Sequence, residues 1–533
     1  MSFDLIPEPQ SVTLNGEAAD SDDAGAPVPV ALPLVGRISE DRDIDDIAGV
    51  FPTQLADDIE AATGLRWDIA SDVMVAGLPA PNAAIAHPVP PHASCWKSFI
   101  TLRLDPSSLE PQEYRLTIAR SGIDVVGGDT EGVRNGVQTL RQIIRQCAPA
   151  LPRLVIADKP AYKVRGYYLD ATRGRVPTLD WLKTWADRLC LYKYNQLQLY
   201  IEHTFMFDDL SETWRGTSPL KPADIIAFDE YCARLGIELV PSVSTFGHQY
   251  MAMRTRELRH LGEFPEDADR RYGFVERQRH HTLNITEPES LAFSFKLIDA
   301  YMQLFRTRKF NICGDETFDL GRGRSKPEAE RRGVAAMYAD FVSQLCRHLS
   351  ERGREPMFWG DIAVEMPQIL GLLPDNVTLL NWLYAPGIGE DKVRLVAQAG
   401  APQYVCSAVW CWNALLPRLD DSWNNISRLA RYGVKYGAVG YLVTDWGDYG
   451  HVNDPRMAVS GMIFGAQCAW NPMAHIQGEA GCGDGEEGSA AGYADAAADV
   501  VRENKAAADG DSPAPLPSSS ESDDYTGDRK SVV

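Results

Sequence analysis

Residues 309–318 read Lys-Phe-Asn-Ile-Cys-Gly-Asp-Glu-Thr-Phe and set two adjacent carboxylates, Asp315 and Glu316, directly behind a short apolar run. Consecutive side chains of a strand point to opposite faces, so the two acids can share one site only where the strand ends and its backbone turns. Two carboxyl groups in one site divide labour when their surroundings separate their pKa values. One stays ionised while the other keeps its proton and serves as a general acid. Cleavage of a glycosidic bond needs that division, and a neighbouring pair suits a reaction in which the substrate itself supplies the nucleophile. Acidic residues also favour helix N-termini, so a plain helix start is the competing reading of the same dipeptide.

A catalytic pair needs a frame that brings other chain segments to it. From Val164 onward, short apolar runs alternate with longer amphipathic stretches, the pattern of a parallel α/β fold. Eight strand candidates follow: 165–170, 195–201, 238–243, 309–313, 356–359, 377–382, 403–409 and 438–444. Between the first two, Trp181, Leu182, Trp185, Leu189 and Tyr192 form one apolar helical face. The expected fold is a (β/α)8 barrel of the TIM type over residues 161–472, with its site at the strand C-termini; a doubly wound sheet is the alternative. Residues 1–160 read as a small α+β unit, with strands near 114–118 and 122–126 and a helix in which Val133, Val137, Leu140 and Ile144 share a stripe. Residues 473–533 are rich in Gly, Ala, Ser and acids and are expected to be a disordered acidic tail.

On the barrel reading, strand ends bring together Asp170, Arg173, Glu202, His203, His248, Asp315, Glu316, Asp361 and Asp448. Trp359, Trp382, Trp410, Trp412, Asn413 and Trp446 join them at the same mouth. Indoles stack on the apolar faces of pyranoses while carboxylates bind hydroxyls, so this mixture suits a sugar. The formal charge of -22 over 533 residues argues against nucleic-acid or anionic-membrane partners. No apolar run is of membrane-spanning length, and the start carries no basic and apolar leader pattern, so a cytoplasmic location is expected. The ten cysteines are scattered singly and no His-Glu-x-x-His cluster occurs; no disulfide framework, metal or cofactor is expected.

The ordered set Arg165-Gly166-x-x-Leu169-Asp170-x-x-Arg173, Gly247-His248, Gly314-Asp315-Glu316 and Trp446-x-Asp448 resembles glycoside hydrolase family 20, the β-N-acetylhexosaminidases. The similarity runs over residues 100–470, including the α+β unit ahead of the barrel. The resemblance implies exo-acting, retaining hydrolysis of terminal β-linked N-acetylglucosamine or N-acetylgalactosamine, in which the sugar's acetamido oxygen attacks its own anomeric carbon to give an oxazolinium. Glu316 would protonate the leaving oxygen and later deprotonate water, and Asp315 would orient the acetamido N–H. Arg165 would bind sugar hydroxyls; Trp359, Trp382 and Trp446 would box the acetamido group; Glu202 and His248 would join the substrate-binding set. Asp448 stands where the family often has a Glu that binds the sugar's outer hydroxyls. Departures lie at Glu202-His203 on the second strand, at Ser242 and Ser244 on the third, and on the seventh, where the family's tyrosine is absent and Trp412 and Asn413 are the candidate substitutes. The expected partner is a small oligosaccharide or glycoconjugate. A barrel glycosidase releasing a disaccharide or unusual hexosamine, or a non-catalytic glycan-binding homologue, is the alternative.

Overall fold

The computed structural model describes residues 3–14, 28–70 and 98–474. Residues 475–533 of the expected acidic tail, with Cys482, and also Cys95 lie outside the described residues.

Up to Asp158 the chain builds a seven-stranded sheet in the order Ser11–Leu14, Leu154–Asp158, Tyr114–Ala119, Gly122–Gly127, Ile100–Leu104, Arg37–Glu40, Asp68–Ala70. Period-two alternation sets its faces: Tyr114, Leu116 and Ile118 are buried while Arg115 points outward. The helices Val50–Thr63 and Thr130–Cys147 cover the buried face. Asp129 caps the second helix by accepting the Gly132 N–H at 2.7 Å, which sharpens its start.

The next eight strands are all parallel and close into a barrel. They are Arg165–Asp170, Gln196–Ile201, Glu238–Val243, Lys309–Asn311, Glu355–Trp359, Thr378–Trp382, Gln403–Ala408 and Gly440–Asp445. Each agrees with its expected span to within two residues at either end. Alternate side chains separate two cores. Tyr167, Leu169, Leu197 and Leu199 pack outward against helices, while Tyr168, Tyr200, Val240, Met357, Trp359 and Leu380 fill the lumen. Near the strand starts the lumen is polar, with Gln198 linking Gln196 and Asn311, and the Lys309–Glu238 ion pair at 2.9 Å below them.

The apolar helix Val459–Trp470 follows the eighth strand, packs on the barrel, and ends in Trp470, which enters the core of the N-terminal sheet. Its indole N–H donates to Asp158 at 3.0 Å.

Arg165 corrects an expectation. It opens the first strand and therefore lies at the barrel floor, the end opposite the mouth. There it is 1 % exposed and donates to the carbonyls of Tyr162 and Lys193, to Gln112 and to Glu131. It ties the barrel to the preceding sheet and is not available to a sugar in the mouth.

Candidate active site

The fourth strand ends at Asn311, and the next residues leave the β region: Cys313, Gly314 and Glu316 have φ of 61°, 82° and 48°. Left-handed backbone at a non-glycine residue is held only where the surroundings over-determine it. Several contacts do so. Tyr338 Oη donates to Gly314 O at 2.7 Å, Thr245 Oγ1 donates to Ile312 O at 2.7 Å, and Glu316 N donates to Asp361 Oδ2 at 3.1 Å. Gly247 presses on the same turn: a Cβ there would stand 2.3 Å from Asp315 O. The turn cancels strand alternation, and both carboxylates face one imidazole. His248 Nε2 lies 3.4 Å from Asp315 Oδ2 and 3.5 Å from Glu316 Oε2. The helix-start reading of the pair fails, because the helix Lys326–Arg332 begins well beyond it.

The surroundings act on Glu316 and on its neighbours. Burial raises the Glu316 carboxyl, nearby His248 draws it back down, and the Asp315 charge pushes it up again; the net direction is upward. Burial opposes a charge on His248, but the Asp315 and Glu316 carboxylates outweigh it and push the imidazole up to about 9. Asp361, carried by the fifth strand's end, is pushed well above the carboxylate range by burial and then by Asp315. Asp315 Oδ1 and Asp361 Oδ1 are both buried without a hydrogen-bond partner among the described residues. Burial thus biases Glu316 and Asp361 towards their protonated forms beside the His248 imidazole.

Opposite this group stands an aromatic wall. Trp446 packs 4.7 Å from Tyr168 and 5.3 Å from Tyr200. Tyr384, just past the sixth strand, stacks on Trp382 at 5.1 Å and meets Trp412 at 5.4 Å. Its hydroxyl accepts the Trp446 indole N–H at 2.7 Å and sits 3.1 Å from Thr444 Oγ1. Trp359 is 0 % exposed against Tyr168 and Trp446, so it backs the wall instead of facing the sugar, a second correction. On the seventh strand's tail, Trp412 reaches the wall through Tyr384, whereas Asn413 is solvent-exposed. Neither places a hydroxyl at the wall, whereas Tyr384 does.

Arg173 holds the third side. It follows the first strand's C-terminal end and donates to Glu202 Oε1 at 3.2 Å and to Asp448 Oδ1 at 2.7 Å, with its guanidinium over the Trp446 ring. Burial opposes the Glu202 charge, but His203 and Arg173 hold the carboxyl well below its usual range. Glu202 is nearly buried and clamps Arg173, while Asp448 keeps a third of its surface open towards the mouth. Of the two arginines in the motif, Arg173 and not Arg165 lies at the mouth. Strand direction was the available signal, since only residues at strand C-termini reach the mouth.

His248, Asp315 and Glu316 bring ligand atoms within 4.8 Å of one another, close enough for a cation.

Two family profiles match consecutive stretches of the chain: "Glycosyl hydrolase family 20, domain 2" over residues 43–159 and "Glycosyl hydrolase family 20, catalytic domain" over residues 162–412. The chain belongs to glycoside hydrolase family 20. A β-hexosaminidase of Akkermansia muciniphila is 30% identical over 57% of this chain and 65% of its own length. A lacto-N-biosidase of Bifidobacterium bifidum is 26% identical over 56% of this chain and 26% of its own. The family 20 chain thus spans less than two thirds of either relative. Among solved structures, a β-N-acetylhexosaminidase from Bacteroides fragilis shares the fold at a TM-score of 0.63 and 17% identity, covering 94% of this chain and 95% of that one. A Streptomyces coelicolor β-N-acetylhexosaminidase does so at 0.63 and 20%, covering 87% and 91%. Among the described residues of this family 20 member, no helix is long and apolar enough to cross a membrane.

Proposed function

We propose that this family 20 chain is an exo-acting β-N-acetylhexosaminidase that hydrolyses terminal β-linked N-acetylglucosamine or N-acetylgalactosamine with retention, through an oxazolinium formed by the substrate's own acetamido oxygen. The observation that carries this reading is the left-handed turn that aims Asp315 and Glu316 at one imidazole beside the aromatic wall. Glu316, raised towards the protonated form, gives its proton to the leaving oxygen and later takes one from water. Asp315 accepts the acetamido N–H and stabilises the positive charge that develops on it. Tyr384, with its oxygen fixed by Trp446, donates to the acetamido oxygen. Arg173 and Asp448 bind the outer hydroxyls, and Trp382 and Trp446 hold the sugar and its methyl group. The reading includes a cytoplasmic setting, which singly scattered and mostly buried cysteines suit.

Turnover of para-nitrophenyl β-N-acetylglucosaminide and galactosaminide tests the reading. Wild type should turn over at least one of them. Glu316→Gln should lose about a hundredfold or more on substrates with poor leaving groups and less on activated aryl glycosides. Sugar binding without turnover would make the chain a glycan-binding homologue. The likeness to a lacto-N-biosidase supports a second reading, release of a disaccharide, which the aryl glycoside of that disaccharide separates from the first.

A further inference from the structure

His248 meets the two acids with one edge of its ring. Nε2 is the atom that stands 3.4 Å from Asp315 Oδ2 and 3.5 Å from Glu316 Oε2, so Nδ1, on the opposite edge, is turned towards the loops that follow the second and third strands. There it is buried and has no hydrogen-bond partner among the described residues. His203, at the tail of the second strand, repeats the situation. Its Nδ1 is also buried and unpartnered, with Glu202 Oε2 at 3.8 Å, too far for a direct hydrogen bond. Buried polar atoms are rarely left unpaired, and two such nitrogens side by side ask for a shared partner.

Both histidines and Glu202 line one small cavity. Its remaining walls are mostly apolar, from Phe207, Leu210, Ala252, Phe293 and Leu297. The space left for a water's centre is about 10 Å3, room for one water and too little for any sugar. Three polar atoms lie around it, His248 Nδ1, His203 Nδ1 and Glu202 Oε2, and three is the usual complement of an enclosed water. Neighbouring protein groups are engaged elsewhere: Glu202 Oε1 accepts from Arg173 and Tyr200 Oη, and the Gln249 amide donates to Ser244 O.

We propose that this cavity holds a single water that bridges His248 to His203, and that His203 is a positioning residue for the reaction, acting on Glu316 through that water and the His248 ring. The inference rests on the hexosaminidase reading for its effect on turnover. Water suits the place because it accepts from an N–H and donates to a bare nitrogen, and so satisfies each ring in either state. A ring held at both edges presents Nε2 to Glu316 at one angle, whereas a ring held at one edge turns, and a small misplacement of an acid/base group is felt in kcat. The Glu202-His203 pair, a departure from the family pattern, thereby acquires a role.

The test uses three variants of the full chain. His203→Leu removes the water's partner, Ala252→Val fills the cavity, and His203→Gln keeps a polar partner in place. His248 is followed by NMR of protein labelled with 15N-histidine, its signal being the one lost in His248→Gln. Asp315 and Glu316 of the fourth strand's tail, Arg173 of the first's and Glu202 of the second's also act on its charge, and none of the three variants alters them. The ring should titrate about one pH unit lower in His203→Leu and in Ala252→Val, because its buried Nδ1–H then lacks an acceptor, and close to wild type in His203→Gln. On substrates with poor leaving groups, kcat should fall about tenfold in the first two variants at unchanged KM. The double variant His203→Leu/Ala252→Val should be no worse than either single one, since both break the same link. A crystal structure of the wild type should show one water within hydrogen-bond distance of both nitrogens. A dry cavity, an unmoved titration in His203→Leu and Ala252→Val, or losses that multiply in the double variant overturns the proposal. Failure of the hexosaminidase reading shows separately, as absent aryl turnover with the His248 titration still shifted.

Discussion

His248 is the residue whose charge most directly tunes the chemistry, since it touches both acids and is itself buried. Its imidazolium favours ionised Glu316, so its removal raises the Glu316 carboxyl further. In His248→Gln the basic limb of kcat/KM, where Glu316 loses its proton, should therefore move to higher pH; an unmoved limb would break the link between them. The same residue predicts a stability window. Its pKa rises on folding from 6.5 to about 9, so its contribution is fully present below 6.5 and disappears as pH rises through 9. Wild type should exceed His248→Gln by on the order of 3 kcal/mol at the acid end of that window and lose the advantage above it, as read by urea denaturation. Tyr384 makes a different kind of contribution. Tyr384→Phe keeps the ring stacked on Trp382 but removes the hydroxyl that Trp446 orients, so kcat on acetamido substrates should fall about a hundredfold. Unchanged kcat with a merely lower melting temperature would reduce that hydroxyl to a structural role.

At the scale of elements, the eight barrel strands were legible because each is a short apolar run bounded by turn residues, and the Asp315-Glu316 pair was legible because chemistry in such a frame sits behind strand ends. Which of Arg165 and Arg173 reaches the mouth is legible too, from strand polarity, although both belong to one motif. One feature is not. Tyr384 carries no signal of its own, because the wall is completed from the sixth strand's tail by a hydrogen bond to the eighth's. Pairings between strand tails that are 62 residues apart leave no local periodicity to read. The short helical turns between the third and fourth strands were equally silent, since they are built from side chain to backbone contacts. That third-strand loop also braces the catalytic turn through Gly247. Gly247→Ala would force the Asp315 carbonyl to move, because the clash is with backbone and no rotamer relieves it. The expected outcome is a loss of kcat of tenfold or more with far-UV circular dichroism preserved; normal kcat would show that the turn is looser than its contacts suggest.

For the molecule as a whole, the floor of the barrel matters as much as its mouth. Arg165 is shared between the first strand and Glu131 of the preceding unit, and Lys193 lies buried beside Asp158 and the ring of Trp470. Glu131 keeps Arg134 when Arg165 is lost, so the cost lies in the buried carbonyls left without a donor, about 1–3 kcal/mol. Arg165→Met should therefore lower the urea midpoint by an amount of that order and leave KM unchanged; a raised KM at unaltered stability would return Arg165 to the sugar. Trp470 seals the core of the N-terminal sheet through an indole N–H given to Asp158, 312 residues earlier in the chain. During synthesis the first unit is thus made early and finished late: its hydrophobic centre has no lid until the ribosome has released the last helix of the barrel. Folding of the nascent chain should wait on that helix, and a ribosome stalled before residue 470 should carry an N-terminal sheet still open to proteolysis.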